Sequence, residues 1–218
     1  MYLYNIHTHN PEQKSCGQYR VKYILNTYPQ DFASVRRNTP DLYYSCGIHP
    51  WYADRGEGQL SLLQEILADD KVVAIGEVGL DKLKGPEMEL QMQIFEKQIQ
   101  MALDIQKPLI IHCVKAWDEL IALYKKYESD SMPWVIHGYR GNPQQTKQLV
   151  DIGFKFSIGE KFNTDSLRLI PSDCIFCETD MSDVSICKVY ENISSNIGLN
   201  INHFATFVDG NICKVFKI

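Results

Sequence analysis

The chain has 218 residues, 44% of them hydrophobic and 22% charged, with a formal net charge of −5, which is the composition of an ordinary globular domain and not of a disordered or low-complexity one. The acidic balance excludes a general basic surface for wrapping nucleic acid. No apolar run approaches the roughly 20 residues needed to cross a bilayer.

The expected elements alternate along the chain. Short apolar runs at 2–6, 21–26, 42–46, 72–76, 108–111, 134–136, 154–158 and 174–177 are β-branched or aromatic, as buried parallel strands should be. The first connection, 11–20, contains Gly17 and little apolar periodicity, so a shortened crossover is expected there. A helix is expected over 86–106, with Leu90, Ile94, Met101 and Ile105 on one face and Pro86 in its first turn. A second, over 116–127, carries Trp117, Leu120, Leu123, Tyr124 and Tyr127 at helical spacing, a core pattern and not a cofactor cage. Asn142-Pro143-Gln144-Gln145 reads as N-cap, N1 proline and capping glutamine, with Gly153 as the stop. Further helical stretches lie in 184–197 and 202–208, and His203 in the latter is structural.

Strands alternating with helices indicate a parallel sheet. Eight such units in one domain, 1–218, point to a compact (β/α)8 barrel with shortened crossovers, the alternative being a doubly wound open sheet. Nothing ahead of His7-Thr8-His9-Asn10 reads as a signal peptide. Seven cysteines without regular spacing fit free thiols in a reducing cytoplasm better than a disulfide framework. Cys174 and Cys177 form a C-x-x-C pair that reads as part of a buried strand. A cytoplasmic monomer is the expectation.

The chemistry gathers at strand ends. His7 and His9 follow the first strand, Glu77 the fourth, His112 the fifth, His137 the sixth and Asp180 the eighth. In a barrel those ends share one face, where active sites are built. Imidazole and carboxylate are the donors that divalent zinc, manganese and iron accept. The six groups exceed what one tetrahedral ion needs, so two ions sharing a carboxylate is the economical reading. Singly, each histidine or acid is more often a hydrogen-bonded core residue or a helix cap. Four of the six histidines at equivalent strand ends form a joint pattern.

The ordered motifs His7-Thr8-His9, Gly47-Ile48-His49-Pro50, Gly76-Glu77-Val78-Gly79-Leu80-Asp81, Pro108-Leu109-Ile110-Ile111-His112, His137-Gly138-Tyr139-Arg140-Gly141 and Glu178-Thr179-Asp180 span nearly the whole chain. Together they resemble the TatD-related deoxyribonucleases, a metal-dependent branch of the amidohydrolase-like barrels. The resemblance implies His7, His9 and Asp180 on one metal, His112 and His137 on the other, and Glu77 bridging them. It implies two divalent ions, zinc first with manganese or magnesium as alternatives. Asp180 and Glu77 would be catalytic, with Asp180 orienting the attacking water and relaying its proton. It places His49 near a substrate phosphate and not on a metal, while Glu178, sharing a face with Asp180, supports the ligands from behind.

Lys115 and Arg140 are further candidate phosphate contacts, standing where the family has other residues. Other departures are Asn5 in place of the aspartate before the histidine pair, Cys113-Val114-Lys115 in place of a serine-arginine pair, and a short connection after Asp180. The substrates expected are DNA ends or another phosphoester. A small phosphoester or aminoacyl ester is the alternative, and a metal-binding scaffold without activity is a third reading.

Overall fold

The structure is a computed structural model and describes residues 1–10, 16–127, 129 and 132–218. Its strands are β1 (Tyr2–Thr8), β2 (Arg20–Thr27), β3 (Leu42–Cys46), β4 (Val72–Asp81), β5 (Leu109–Val114), β6 (Trp134–Ile136), β7 (Lys155–Ile158) and β8 (Ile175–Cys177). Its helices are α1 (Phe32–Val35), α2 (Gly56–Ile66), α3 (Met88–Ile105), α4 (Trp117–Tyr127), α5 (Pro143–Ile152), α6 (Thr164–Leu167), α7 (Ile186–Asn196) and α8 (Ile201–Val215), with 3-10 turns at Pro50–Arg55 and Ser172–Cys174. The strands follow one another in the sheet in chain order from β1 to β8. That is the order of a (β/α)8 barrel; a doubly wound sheet would reverse direction at a switch point.

The chain divides into two compact units. The first comprises residues 1–25, 40–43 and 135–218. Here β6 pairs with β7 and β7 with β8, all parallel, and β1 pairs with β2. Strand β8 meets β1 through a parallel bridge between Thr8 and Asp180. Helices α7 and α8 cover β1 and β8, burying Leu3, Ile6, Phe176, Tyr190, Phe204 and Ile212. The Tyr190 hydroxyl donates to the Tyr4 carbonyl (3.1 Å) and accepts from its amide (3.0 Å), so the helix satisfies a strand residue directly. Asn142 caps α5 as expected, its side chain accepting from the Gln145 amide, and Gly153 ends the helix at φ +113°.

The second unit comprises 26–39 and 44–134, with β3, β4 and β5 parallel and α3 packed along β4. Helix α3 starts at Met88 with Glu87 at its cap, so Pro86 precedes the helix instead of occupying its first turn. Its buried face carries two glutamines besides Ile94, Phe95, Ile99 and Ala102. Gln98 accepts from the Ile48 amide (2.7 Å) and donates to the Ile48 carbonyl (3.1 Å). One helical stretch earlier, Gln91 accepts from the Asp81 amide (2.8 Å) and donates to the Asp81 carbonyl (2.9 Å). Apolar periodicity does not reveal such residues, because they are buried by being hydrogen-bonded.

Two expectations are corrected here. Cys16 and Cys187 form a disulfide, while Cys46, Cys113, Cys174, Cys177 and Cys213 are free. A separation of 171 residues leaves no spacing signal for that pair. Strands β4 and β5 also run past their expected ends, so Glu77 and His112 lie inside strands. Cys174 closes a 3-10 turn and Cys177 lies in β8, and neither joins a thiol pair. The expected short crossover between β1 and β2 shows no helix among its described residues; 11–15 lie outside them. No helix among the described residues is long and apolar enough to cross a membrane.

Candidate metal centres

In the first unit, His7 and His9 leave β1 on the same side, as residues two apart on an extended chain must. Between Asn5 and Thr8 the pairing with β2 slips by one residue, since their partners are Tyr23 and Leu25. A slip of this kind re-aims the intervening side chains, and His7 lies in it. Asp180 follows β8 in the left-handed region (φ +51°), a conformation that aspartate tolerates better than most residues. Its amide donates to the His7 carbonyl (2.9 Å), and its carbonyl accepts from the His9 amide (3.2 Å). The backbone pairing therefore sets the side chains. Asp180 Oδ1 lies 3.6 Å from Nε2 of both His7 and His9. The three groups present ligand atoms within 4.8 Å of one another.

His7 is fully buried, His9 is 23% exposed and Asp180 37% exposed at its side chain. One edge of the group therefore opens to solvent. His137 follows β6 and sets its ring against His7, the centroids 4.4 Å apart. Its Nδ1 lies 3.3 Å from Oε1 of Glu178, which is 1% exposed. The other Glu178 oxygen is buried with no hydrogen-bond partner among the described residues. Asn5 exchanges bonds with Thr179, its amide group donating to Thr179 Oγ1 (2.7 Å) and its carbonyl accepting from the Thr179 amide (3.1 Å). It thus locks β1 to the segment bearing Asp180, a task an aspartate could do only in part for want of a donor.

In the second unit, Glu77 is the extra residue of a slip in the β4–β5 register, where Gly76 pairs with Ile110 and Val78 with Ile111. Its amide donates to Asn26 Oδ1 (2.7 Å), which also accepts from the Ser45 hydroxyl (3.2 Å). The displaced backbone group is thereby satisfied and the carboxylate redirected. His112 Nδ1 lies 2.6 Å and His49 Nε2 3.2 Å from Glu77 Oε1. These three also offer ligand atoms within 4.8 Å of one another. Gly79 sits opposite His112 at φ +136°, and a Cβ there would stand 2.0 Å from the His112 carbonyl oxygen. Glycine is required for β5 to come this close.

Asp81, at the end of β4, backs His112. One of its oxygens, Oδ2, lies 3.1 Å from His112 Nε2 and accepts the Trp51 indole N–H at 2.7 Å. The other accepts from the Leu83 and Lys84 amides. Burial pushes this carboxyl up, but the bonds from Trp51, Leu83 and His112 outweigh it and hold it below the usual aspartate value. Lys84 lies over the Trp51 ring, 3.3 Å from its centroid. Burial pushes the neighbouring Cys113 thiol up to about 12, which keeps it protonated and unsuited as a nucleophile or ligand.

The expected site residues thus fall into two groups of donors. The structure brings His7, His9 and Asp180 together with His137 nearby, and separately gathers Glu77 with His112 and His49. His49 is buried against Glu77, whereas Lys115 and Arg140 are exposed beyond β5 and β6. Glu178 reaches His137. Asp81, Trp51, Asn26, Gln91 and Gln98 are absent from the sequence reading. Of these only Asp81 left a signal, as the last residue of its motif.

The chain matches the family described as TatD related DNase over residues 13–217. An uncharacterized metal-dependent hydrolase of Haemophilus influenzae is 28% identical over 219 residues, 85% of this chain and 83% of that protein. One from Buchnera aphidicola is 30% identical over 144 residues, so the match takes in 62% of this chain and about half, 54%, of that relative's length. The crystal structure of the TatD homologue YjjV from Escherichia coli superimposes with a TM-score of 0.85 over 100% of this chain and 98% of that one, at 22% identity. A TatD family hydrolase from Entamoeba histolytica gives 0.76 at 17% identity, over 98% of this chain and 97% of that one. At these identities the two structures speak for the fold.

Proposed function

From the premise that this chain belongs to the TatD-related DNase family, we propose that it is a metal-dependent hydrolase that cleaves phosphodiester bonds in DNA with the aid of two divalent cations. The observation that carries the reading is the group His7, His9 and Asp180, whose ligand atoms lie within 4.8 Å of one another on backbone that pairs β1 with β8. Mixed imidazole and carboxylate donors suit zinc or manganese, and magnesium less well, since it prefers oxygen. Zinc is therefore the first candidate. His137 belongs to the same proposal as a ligand, and His112 and Glu77 supply the second set, with Glu77 as the shared carboxylate.

Bound cations would supply Lewis-acid activation of water and of the phosphoryl group. The chain's own residues do the rest. Asp180, partly exposed at the edge of its group, takes the proton from the attacking water and passes it to the leaving alcohol. Lys115 and Arg140, both exposed, supply positive charge for the flanking phosphates, which an acidic chain otherwise lacks. The products are a phosphomonoester and an alcohol.

One observation favours a second reading. Only the residues from 178 to 185 separate β8 from α7, so little chain is available there to grip a polymer. A small phosphoester or an aminoacyl ester would need less.

The test is elemental analysis of the purified protein, then cleavage of a labelled single-stranded oligonucleotide with metal and with chelator. Two equivalents of metal and chelator-sensitive cleavage are expected. Metal without cleavage turns the search to small esters, and failure to take up metal overturns the reading. Glu77→Ala should lower metal content and activity together; unchanged metal in that variant removes Glu77 from the ligand set.

A further inference from the structure

Trp51 presents two N–H groups to the surroundings of Glu77, and each ends on a group that governs one histidine. Its backbone amide donates to His49 Nδ1 (3.2 Å), as the first turn of Pro50–Arg55 is capped by that side chain. A nitrogen that accepts carries no proton, so the neutral ring bears its proton on Nε2, the atom 3.2 Å from Glu77 Oε1. His49 therefore donates to Glu77 and has no lone pair to offer on that side.

The indole Nε1–H of Trp51 donates to Asp81 Oδ2 (2.7 Å), the same oxygen that lies 3.1 Å from His112 Nε2. An ionised carboxylate only accepts, so His112 Nε2 carries the proton. Its Nδ1 then turns a lone pair toward Glu77 Oε1, 2.6 Å away. The two rings, 4.5 Å apart, hold the same tautomer but show Glu77 opposite faces of it. One ring brings a donor and the other a ligand.

We propose that Trp51 and Asp81 are positioning residues that fix these tautomers, making His112 a cation ligand through Nδ1 and reserving His49 as a hydrogen-bond donor to Glu77. A carboxylate behind a ligating histidine fixes ring orientation and raises basicity. Here the carboxylate is itself held, by the indole on Oδ2 and by the Leu83 and Lys84 amides on Oδ1. Lys84 Nζ also sits on the indole face. The arrangement explains why three donor groups lie together around Glu77 while only two of them serve a cation. The inference rests on the metal-hydrolase reading in its second part only, because the tautomers exist without metal.

The test uses full-length protein labelled with 15N at histidine. Side-chain spectra of the metal-free protein at about pH 9, where free imidazole is neutral, should show Nε2-protonated rings for both His49 and His112. Added zinc should shift His112 Nδ1 and leave both His49 nitrogens in place. Trp51→Phe keeps the backbone amide and loses the indole donor, so His49 should stay as it is while His112 becomes a tautomer mixture. Zinc affinity should fall about 10- to 100-fold in that variant. Asp81→Asn, which retains an acceptor, should bind zinc better than Asp81→Ala.

Two outcomes overturn the proposal: an Nδ1-protonated His49 in the wild type, or a Trp51→Phe protein whose His112 signals and zinc affinity match the wild type. Wild-type protein that shows both tautomers but takes up no zinc keeps the tautomer assignment and defeats the metal reading instead.

Discussion

Glu178 places a carboxylate almost wholly out of water for one contact of 3.3 Å with His137, while its second oxygen has no partner among the described residues. Such a group costs stability, since a buried polar atom left unsatisfied forfeits about 1–3 kcal/mol. Its use must then be functional, namely to orient His137. The expected outcome for Glu178→Gln is a protein that melts at the same temperature or higher, yet binds metal about tenfold more weakly or worse. Thermal denaturation of the metal-free protein and a zinc titration, run side by side, check it. A drop in melting temperature with unchanged affinity would make Glu178 a structural residue. Asn26 and Asn5 make the opposite case. Each is buried, and the side chain of each has found backbone groups to bond, Asn26 at Glu77 and Asn5 at Thr179.

At the scale of elements, both donor groups depend on irregular strands. The slip between Asn5 and Thr8 and the slip at Glu77 each insert a residue into a parallel pairing and so turn a side chain that a regular pleat would have sent elsewhere. Strand β4 meets the consequence through Gly79, whose φ of +136° and closeness to the His112 carbonyl leave no room for a side chain. Gly79→Ala should destabilise the protein by about 2 kcal/mol or more, through strained backbone and a displaced β5. Because His112 is the residue displaced, zinc affinity should fall in the same variant. Urea denaturation and a zinc titration measure the two effects, and a stable variant with full affinity would contradict the close-approach account. Helix α3 adds Gln91 and Gln98, which bond the backbone of Asp81 and Ile48 and thereby position the residues beside them.

At the scale of the molecule, the Cys16–Cys187 bond closes a loop with a sequence separation of 171. Loops of that length remove much conformational freedom from the unfolded chain, and the stabilisation is typically about 2–4 kcal/mol. Cys16→Ser, or reduction of the wild type, should lower stability by that amount under otherwise equal conditions. Denaturant midpoints with and without reductant provide the measurement. Midpoints that coincide would mean that the bond adds nothing in solution. The net charge of −5 acts at the same scale, because it gives no general attraction for phosphates and leaves local groups to supply it.

Much of this was legible in the sequence because it is local. Periodicity marks buried strands and amphipathic helices, and the Asn142 cap, the Pro143 start and the Gly153 stop are read from neighbouring residues. The fold class follows from that alternation, and His7, His9, Glu77, His112, His137 and Asp180 follow from their places after strand cores. Strand ends were misjudged at β4 and β5, where polar Glu77 and His112 interrupt the apolar run although the backbone ladder continues. What the sequence by itself determined is the order of elements and the identity of the donor residues. Only the tertiary structure decided that His49 and Asp81 flank His112 and Glu77, that Glu178 serves His137, and that Cys16 meets Cys187. Those partners are far apart along the chain or made by side chains of unremarkable type, so hydrogen-bond satisfaction in the folded core selects them, and no pattern of spacing or hydropathy records it.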